Sequence, residues 1–150
     1  MDKNNINPAL QDLIELTGTW EMELSNAAFL PDSTTTIKGI ASFEWFEGGD
    51  FLILRQGTKN EETPWATWFI GHDEDFQNYT ILYIDDKQSS RVYEMSFENG
   101  IWKIWRNSPE FTQRFTGTIG NDKKMIKGCW EKSIDGKTWN HDFDLSYIKN

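Results

Sequence analysis

Leu16-Thr17-Gly18-Thr19-Trp20 is where a helical pattern gives way to a strand pattern, and the reading of the whole chain follows from that change. Upstream, Asn7-Pro8 opens a short amphipathic segment: Asn can cap free N–H groups, and Pro at the first helical position loses no hydrogen bond. Leu10, Leu13, Ile14 and, at its end, Leu16 fall on one face, so the segment is expected to pack on a sheet rather than stand alone. Gly18 breaks it. From Thr19 the period drops to two, with Trp20, Met22 and Leu24 alternating with Thr19, Glu21 and Glu23.

Everything downstream of Trp20 reads as a meander. A polar loop around Pro31-Asp32-Ser33 leads to a second strand over 36–46, whose apolar face carries Ile37, Gly39, Ala41, Phe43 and Trp45. Gly39 and Ala41 either permit the bend that barrel closure needs or leave room for a ligand. Glu47-Gly48-Gly49-Asp50 is a turn that puts Leu52, Leu54 and Gln56 on the same face. Further strand patterns cover 65–70, 79–84, 91–97, 101–106, 111–119, 124–133 and 138–148, each bounded by turn residues. Linkers this short demand hairpins, and about ten strands are too many for a flat sheet of this size. The expected fold is an all-β, closed up-and-down antiparallel barrel, one domain over residues 1–150, with residues 1–16 forming an N-terminal segment that holds the short helix.

Two turns set registers. Asn99-Gly100 pairs Phe97 with Trp102, Met95 with Ile104 and Tyr93 with Arg106. A tight Asp135-Gly136 turn pairs Lys132 with Trp139, Trp130 with His141, Gly128 with Phe143 and Ile126 with Leu145. Extending the inward face across five strands gives three rows. These are Phe97, Trp102, Phe115, Gly128 and Phe143; then Met95, Ile104, Gln113, Trp130 and His141; then Tyr93, Arg106, Phe111, Lys132 and Trp139.

Composition narrows the function. The 150 residues carry 15 Lys+Arg against 24 Asp+Glu, a net charge of −9, which argues against nucleic acid and against an anionic membrane surface. No stretch approaches the roughly 18 apolar residues of a membrane span, and the N-terminus lacks a signal-peptide pattern, so a cytoplasmic protein is expected. Cys129 stands alone, which rules out an internal disulfide and suits a reducing compartment. Eight Trp and ten Phe suggest an interior built of rings, either a core or a ligand pocket.

Gly18-Thr19-Trp20 after a short helix resembles the Gly-x-Trp signature of the lipocalin-like barrels, the calycins, whose Trp closes one end of the barrel. The run from Phe46 to Leu52, the Gly71-His72-Asp73 turn and Tyr83-Ile84-Asp85-Asp86 look like a bacterial lipocalin-like family known only as a domain of unknown function. That resemblance implies a barrel of about ten strands and no assigned activity, ligand or catalytic residue. Departures are visible. The Arg-x-Tyr clamp of fatty-acid-binding proteins is replaced by Leu145-Ser146-Tyr147, and no Arg follows Arg114, so the late-strand Arg that stacks on the lipocalin Trp is missing. Nitrobindin-like haem barrels ligate iron through a late-strand His, the position of His141, but Glu21-Met22-Glu23 replaces their glycine-rich continuation.

The expected function is non-catalytic binding of a small, largely apolar molecule, with an acidic head allowed. Met95, Ile104, Phe115, Trp130, Phe143, Phe43 and Leu54 are expected to line the cavity, and Arg106, Tyr93, His141 and Gln113 to supply polar anchors. Arg106 opposite Tyr93 either recognises an anion or reaches solvent at the mouth, where Arg91 and Lys132 share its parity. His141 is a satisfied structural histidine, a polar contact in the pocket, a haem ligand, or the general base of an isomerase or hydrolase. No cofactor is expected otherwise. The clusters Asp73-Glu74-Asp75 and Asp85-Asp86 do not match a calcium loop, and no zinc spacing or nucleophile elbow is present. Cys129, on the outer face beside Lys127, lacks a matched His and is a poor nucleophile. Exposed Phe46, Phe51 and Trp105 leave a homodimer open.

Overall fold

The computed structural model describes residues 5–30, 32, 34–58 and 64–150. Met1 to Asn4 and the Pro31 and Ser33 of the expected loop lie outside them. Ten antiparallel strands form a closed barrel: β1 (Gly18–Ser25), β2 (Ile37–Phe46), β3 (Phe51–Gly57), β4 (Ala66–His72), β5 (Tyr79–Asp85), β6 (Ser90–Glu98), β7 (Ile101–Arg106), β8 (Thr112–Ile119), β9 (Met125–Ser133) and β10 (Asn140–Lys149). Each pairs with its neighbours in sequence, and β1 closes on β10. No strand edge is left over among the described residues. Among the described residues no helix is long and apolar enough to cross a membrane.

The N-terminal segment Pro8–Leu16 is a 3₁₀ helix, capped by the Asn7 Oδ1 accepting from the Ala9 N–H at 3.0 Å. That geometry corrects the expected face. With three residues per turn, Leu10, Leu13 and Leu16 stack on a single line, all fully buried, while Ile14 slips to the side and is only half-buried. This leucine line plugs one end. Trp20 stands beneath it, fully buried, its Nε1–H donating to the Leu16 carbonyl at 2.8 Å. Lys149, opposite Trp20 in the β1–β10 ladder, holds its Nζ 5.1 Å over the Trp20 ring and donates to the Glu15 carbonyl at 3.2 Å.

The turn chemistry explains which registers came out as expected. Asn99 and Gly100 both have positive φ, 54° and 75°, as a two-residue turn matched to strand twist requires, and Phe97 pairs with Trp102 and Met95 with Ile104. The inward rows slip beyond that hairpin. Trp102 pairs with Gly117, Ile104 with Phe115 and Arg106 with Gln113, and on the next ladder Phe115 pairs with Trp130 and Gln113 with Lys132. Each shift is two residues, which preserves the face and moves only the neighbour.

At the last hairpin the face itself changes. Asp135 does not sit in a two-residue turn. Its carboxylate accepts from the Lys137 and Thr138 N–H groups at 2.8 Å and from the Ser133 hydroxyl at 3.1 Å, organising the whole connection between β9 and β10. Trp139 is therefore not paired with Lys132; its ring lies 3.9 Å from the Arg114 guanidinium. A β-bulge follows between His141 and Phe143, so that His141 opposes Glu131 while Phe143 opposes Trp130. The backbone carbonyl of the bulged residue, Asp142, accepts from the Ala28 N–H at 3.1 Å.

Candidate functional site

The barrel interior divides across its long axis. Below, next to the 3₁₀ helix, Trp20, Phe43, Leu52, Leu54, Trp102, Phe115 and Tyr147 are each less than 2–3% exposed and interlock edge to face, with Phe43–Trp102 centroids 5.8 Å apart and Trp102–Phe115 5.0 Å. Two glycines make room for this. Gly117 and Gly128 face each other across β8 and β9, and a Cβ on Gly128 would stand 2.4 Å from the Phe115 ring, so that ring lies flat where side chains would otherwise be. Gly39 serves packing too. A Cβ there would meet the Gly57 carbonyl at 2.7 Å and the Trp65 and Met22 side chains at 3.0 Å, which leaves it no ligand space. Met95, Ile104, Phe115, Phe43 and Leu54, all expected to line a cavity, are instead packed core.

Above this floor the interior opens into a cavity of about 700 Å³. Its walls are apolar, formed chiefly by Met22, Leu24, Trp65, Trp68, Trp130 and Phe143. Trp68 is the centre of the wall, with ring centroids 4.6 Å from Tyr83, 5.1 Å from Tyr93 and 6.2 Å from Trp130. Phe29 closes over Phe143 at 5.8 Å, edge on, and stays largely exposed at the mouth.

Polar groups are few and convergent. On the floor, Gln56 accepts from Trp68 Nε1–H at 2.8 Å and donates to the Tyr147 hydroxyl at 2.9 Å, so both indole and phenol are satisfied. Burial pushes the Tyr147 hydroxyl well above its ordinary pKa, which keeps it neutral. Higher up, Tyr93 donates to Gln113 Oε1 at 2.7 Å, and Arg91 reaches the same oxygen at 3.5 Å. The Arg91 guanidinium lies 5.7 Å from the Tyr83 and Phe111 ring centres. Among the described residues no carboxylate comes within 4.0 Å of it. Asp85, on the rim, accepts from the Ser89 and Lys87 N–H groups and the Tyr83 hydroxyl; the Ser89 bond contributes most to holding its carboxyl below its ordinary value, and the nearby charge of Arg91 adds to it.

Of the anchors expected from the sequence, Tyr93 and Gln113 line this cavity, as do Trp130 and Phe143 among the apolar residues. Arg106 does not. It is half-buried with its guanidinium 5.8 Å from the Tyr93 ring centre, outside the cavity wall, and Arg91 takes the inner position. Lys132 shares the open end but is engaged by Asp142 at 3.7 Å.

His141 is the clearest correction. The bulge turns its side chain onto the outer surface, where Nε2 lies 2.9 Å from Asp144 Oδ1, so the interior base and the interior haem ligand both lose the residue they rested on. Cys129 shares that outer face. Its thiol is pushed up to about 11 by burial and by the charges of Asp144 and Glu131, the reverse of what a nucleophile needs.

Trp68, Tyr83, Gln56 and Met22 were not expected in the site. Inward faces could be read for β4 and β5 from the same alternation, Ala66-Trp68-Ile70 and Ile81-Tyr83, once those strands are joined to their neighbours. The β3–β4 ladder, Leu54 opposite Trp68, is the link.

A closed ten-strand antiparallel barrel plugged by a helix, with one end packed and the other open, is the class this architecture defines. The fold is similar to the crystal structure of Rv2717c from M. tuberculosis, with a TM-score of 0.59 over 97% of this chain and 99% of that one, at 11% identity. No protein-family profile matches the chain, and no curated protein matches it.

Proposed function

We propose that this barrel binds a small amphipathic acid, apolar body inward and anionic head toward Arg91, without transforming it. The observation that carries the reading is an apolar cavity of about 700 Å³ whose rim presents a half-buried guanidinium with no carboxylate within 4.0 Å among the described residues. A cavity of that volume suits an organic molecule of ordinary ligand size. A guanidinium drawn partly out of water favours a carboxylate or similar planar anion, which it grips through two parallel hydrogen bonds. Gln113, with Oε1 already held by Tyr93, has its amide N–H groups left for the same head group. The family reading, a lipocalin-like calycin, rests on Gly18-Thr19-Trp20, the helical plug and the Lys149 contact that stands in for the absent arginine.

The test is a titration with a fluorescent medium-chain fatty acid and with its alcohol counterpart. Binding at one site per chain is expected for both, displaced by the unlabelled acid. Arg91→Met should weaken the acid about tenfold, the scale of one lost charge-assisted hydrogen bond, and leave the alcohol unchanged. Leu24→Trp, which fills the cavity wall, should abolish both. Failure of every probe to bind, or unchanged binding in the Leu24→Trp variant, overturns the reading. Native mass spectrometry of protein purified from its own host would name the occupant directly.

A further inference from the structure

The outer surface of β9 and β10 carries a second constellation, unrelated to the cavity. The ladder sets Cys129 directly opposite Asp144. In an unbroken strand His141, three residues before Asp144, would point through the sheet to the other side. The bulge at Asp142 inserts one residue and reverses that parity, which brings the imidazole back onto the face of Asp144. As a result the Cys129 sulfur, a His141 ring nitrogen and an Asp144 carboxylate oxygen all lie within 4.8 Å of one another. The other carboxylate oxygen, Oδ2, accepts from the Asn26 amide at 2.7 Å.

We infer that Cys129, His141 and Asp144 form a binding site for a zinc-class divalent ion, with solvent completing the coordination. The Cys129 sulfur, whose proton the bound ion displaces, with one imidazole and one carboxylate, gives the mixed sulfur, nitrogen and oxygen donors that a borderline-soft ion accepts. Calcium and magnesium, which want oxygen alone, do not. Bonds of about 2.3 Å to sulfur and about 2.0–2.1 Å to nitrogen and oxygen place tetrahedral ligand atoms about 3.3–3.7 Å apart, a spacing that lies between the 2.9 Å of the His141–Asp144 pair and the 4.8 Å within which all three ligand atoms fall. Asn26 supplies what metal-bound carboxylates ordinarily have, an outer hydrogen bond that fixes which oxygen faces the ion. Glu131, opposite His141, is not part of the set because Arg114 holds it at 2.9 Å.

Cobalt(II) and zinc(II), added to the untagged reduced protein, test this. The expected result is one equivalent of cobalt with a thiolate-to-cobalt absorption band in the near ultraviolet, displaced by one equivalent of zinc. Cys129→Ser should remove the band, and both Cys129→Ser and His141→Ala should weaken zinc at least tenfold in calorimetry. Asn26→Ala, which touches no ligand atom of the ion, should weaken it severalfold. All three changes lie on the outside of the barrel, and an unchanged circular dichroism spectrum in the absence of metal confirms that the fold is kept. Absence of a sulfur-to-cobalt band in the wild type, or zinc affinity equal in the wild type, Cys129→Ser and His141→Ala, overturns the site.

Discussion

The two halves of the barrel are built from the same kinds of residue and have opposite properties. In the closed half, Trp20, Phe43, Trp102, Phe115 and Tyr147 interlock beneath a line of leucines and exclude solvent. In the open half, Trp65, Trp68, Tyr83, Tyr93, Trp130 and Phe143 stand around a cavity of about 700 Å³. Aromatic content therefore does not separate core from pocket. What separates them is what fills the space beside each ring. Below, Gly117 and Gly128 yield their volume to Phe115 and the 3₁₀ helix fills the end. Above, the polar side chains Gln56, Arg91 and Gln113 line the cavity, hydrogen-bonded to the Trp68, Tyr147 and Tyr93 side chains or to one another.

That contrast can be broken by mutation. Phe115→Ala, in the closed half, should cost about 3–5 kcal/mol in urea unfolding, because the ring is fully buried and its glycine bed cannot collapse. Phe143→Ala, a half-buried ring on the cavity wall, should cost about 1 kcal/mol. Equal losses would mean that the two halves are packed alike. Next in size is the plug: Lys149→Met removes the cation over Trp20 and the bond to the Glu15 carbonyl, and a loss of about 0.5–1.5 kcal/mol is expected, with Trp20 fluorescence shifted.

The smallest effect lies on the rim. Asp85 has its carboxyl held below its ordinary value in the folded protein, chiefly by the Ser89 N–H, so its contribution to stability is present above the unfolded-state pKa and is lost as the pH falls through the lower folded value. Asp85→Asn should thus lower the melting temperature at about pH 7, and the gap from wild type should close as the solution is brought below about pH 4. A gap independent of pH would show that the carboxylate charge plays no part in holding the β5–β6 turn.

The architecture was readable from the chain because period and punctuation are local properties. Alternation after Trp20, the Asn99-Gly100 turn and short linkers leave few alternatives to a closed meander. The site was harder for two reasons of geometry. Alternation assigns a face but not a neighbour, so a slip of two residues along β8 and β9 cost nothing in parity and exchanged Phe115 and Gln113 in the rows. The second reason is the bulge. Phe143, Leu145 and Tyr147 declare an inward face correctly, yet the extra residue at Asp142 ends its reach, and His141, two positions before Phe143, belongs to the outside. Nothing in His141-Asp142-Phe143 marks a bulge; the carbonyl it frees is met by Ala28, more than a hundred residues away.

The tryptophan cluster of the open half gives the molecule an optical property. Trp68 and Trp130, with centroids 6.2 Å apart and tilted 33°, are close enough to share their excited states, and Tyr83 and Tyr93 lie within easy energy transfer of both. The wall of the cavity is an antenna. A guest that separates or re-tilts the two indoles changes the near-ultraviolet circular dichroism, and one that absorbs in that range drains the emission, so occupancy can be followed in solution with no label attached.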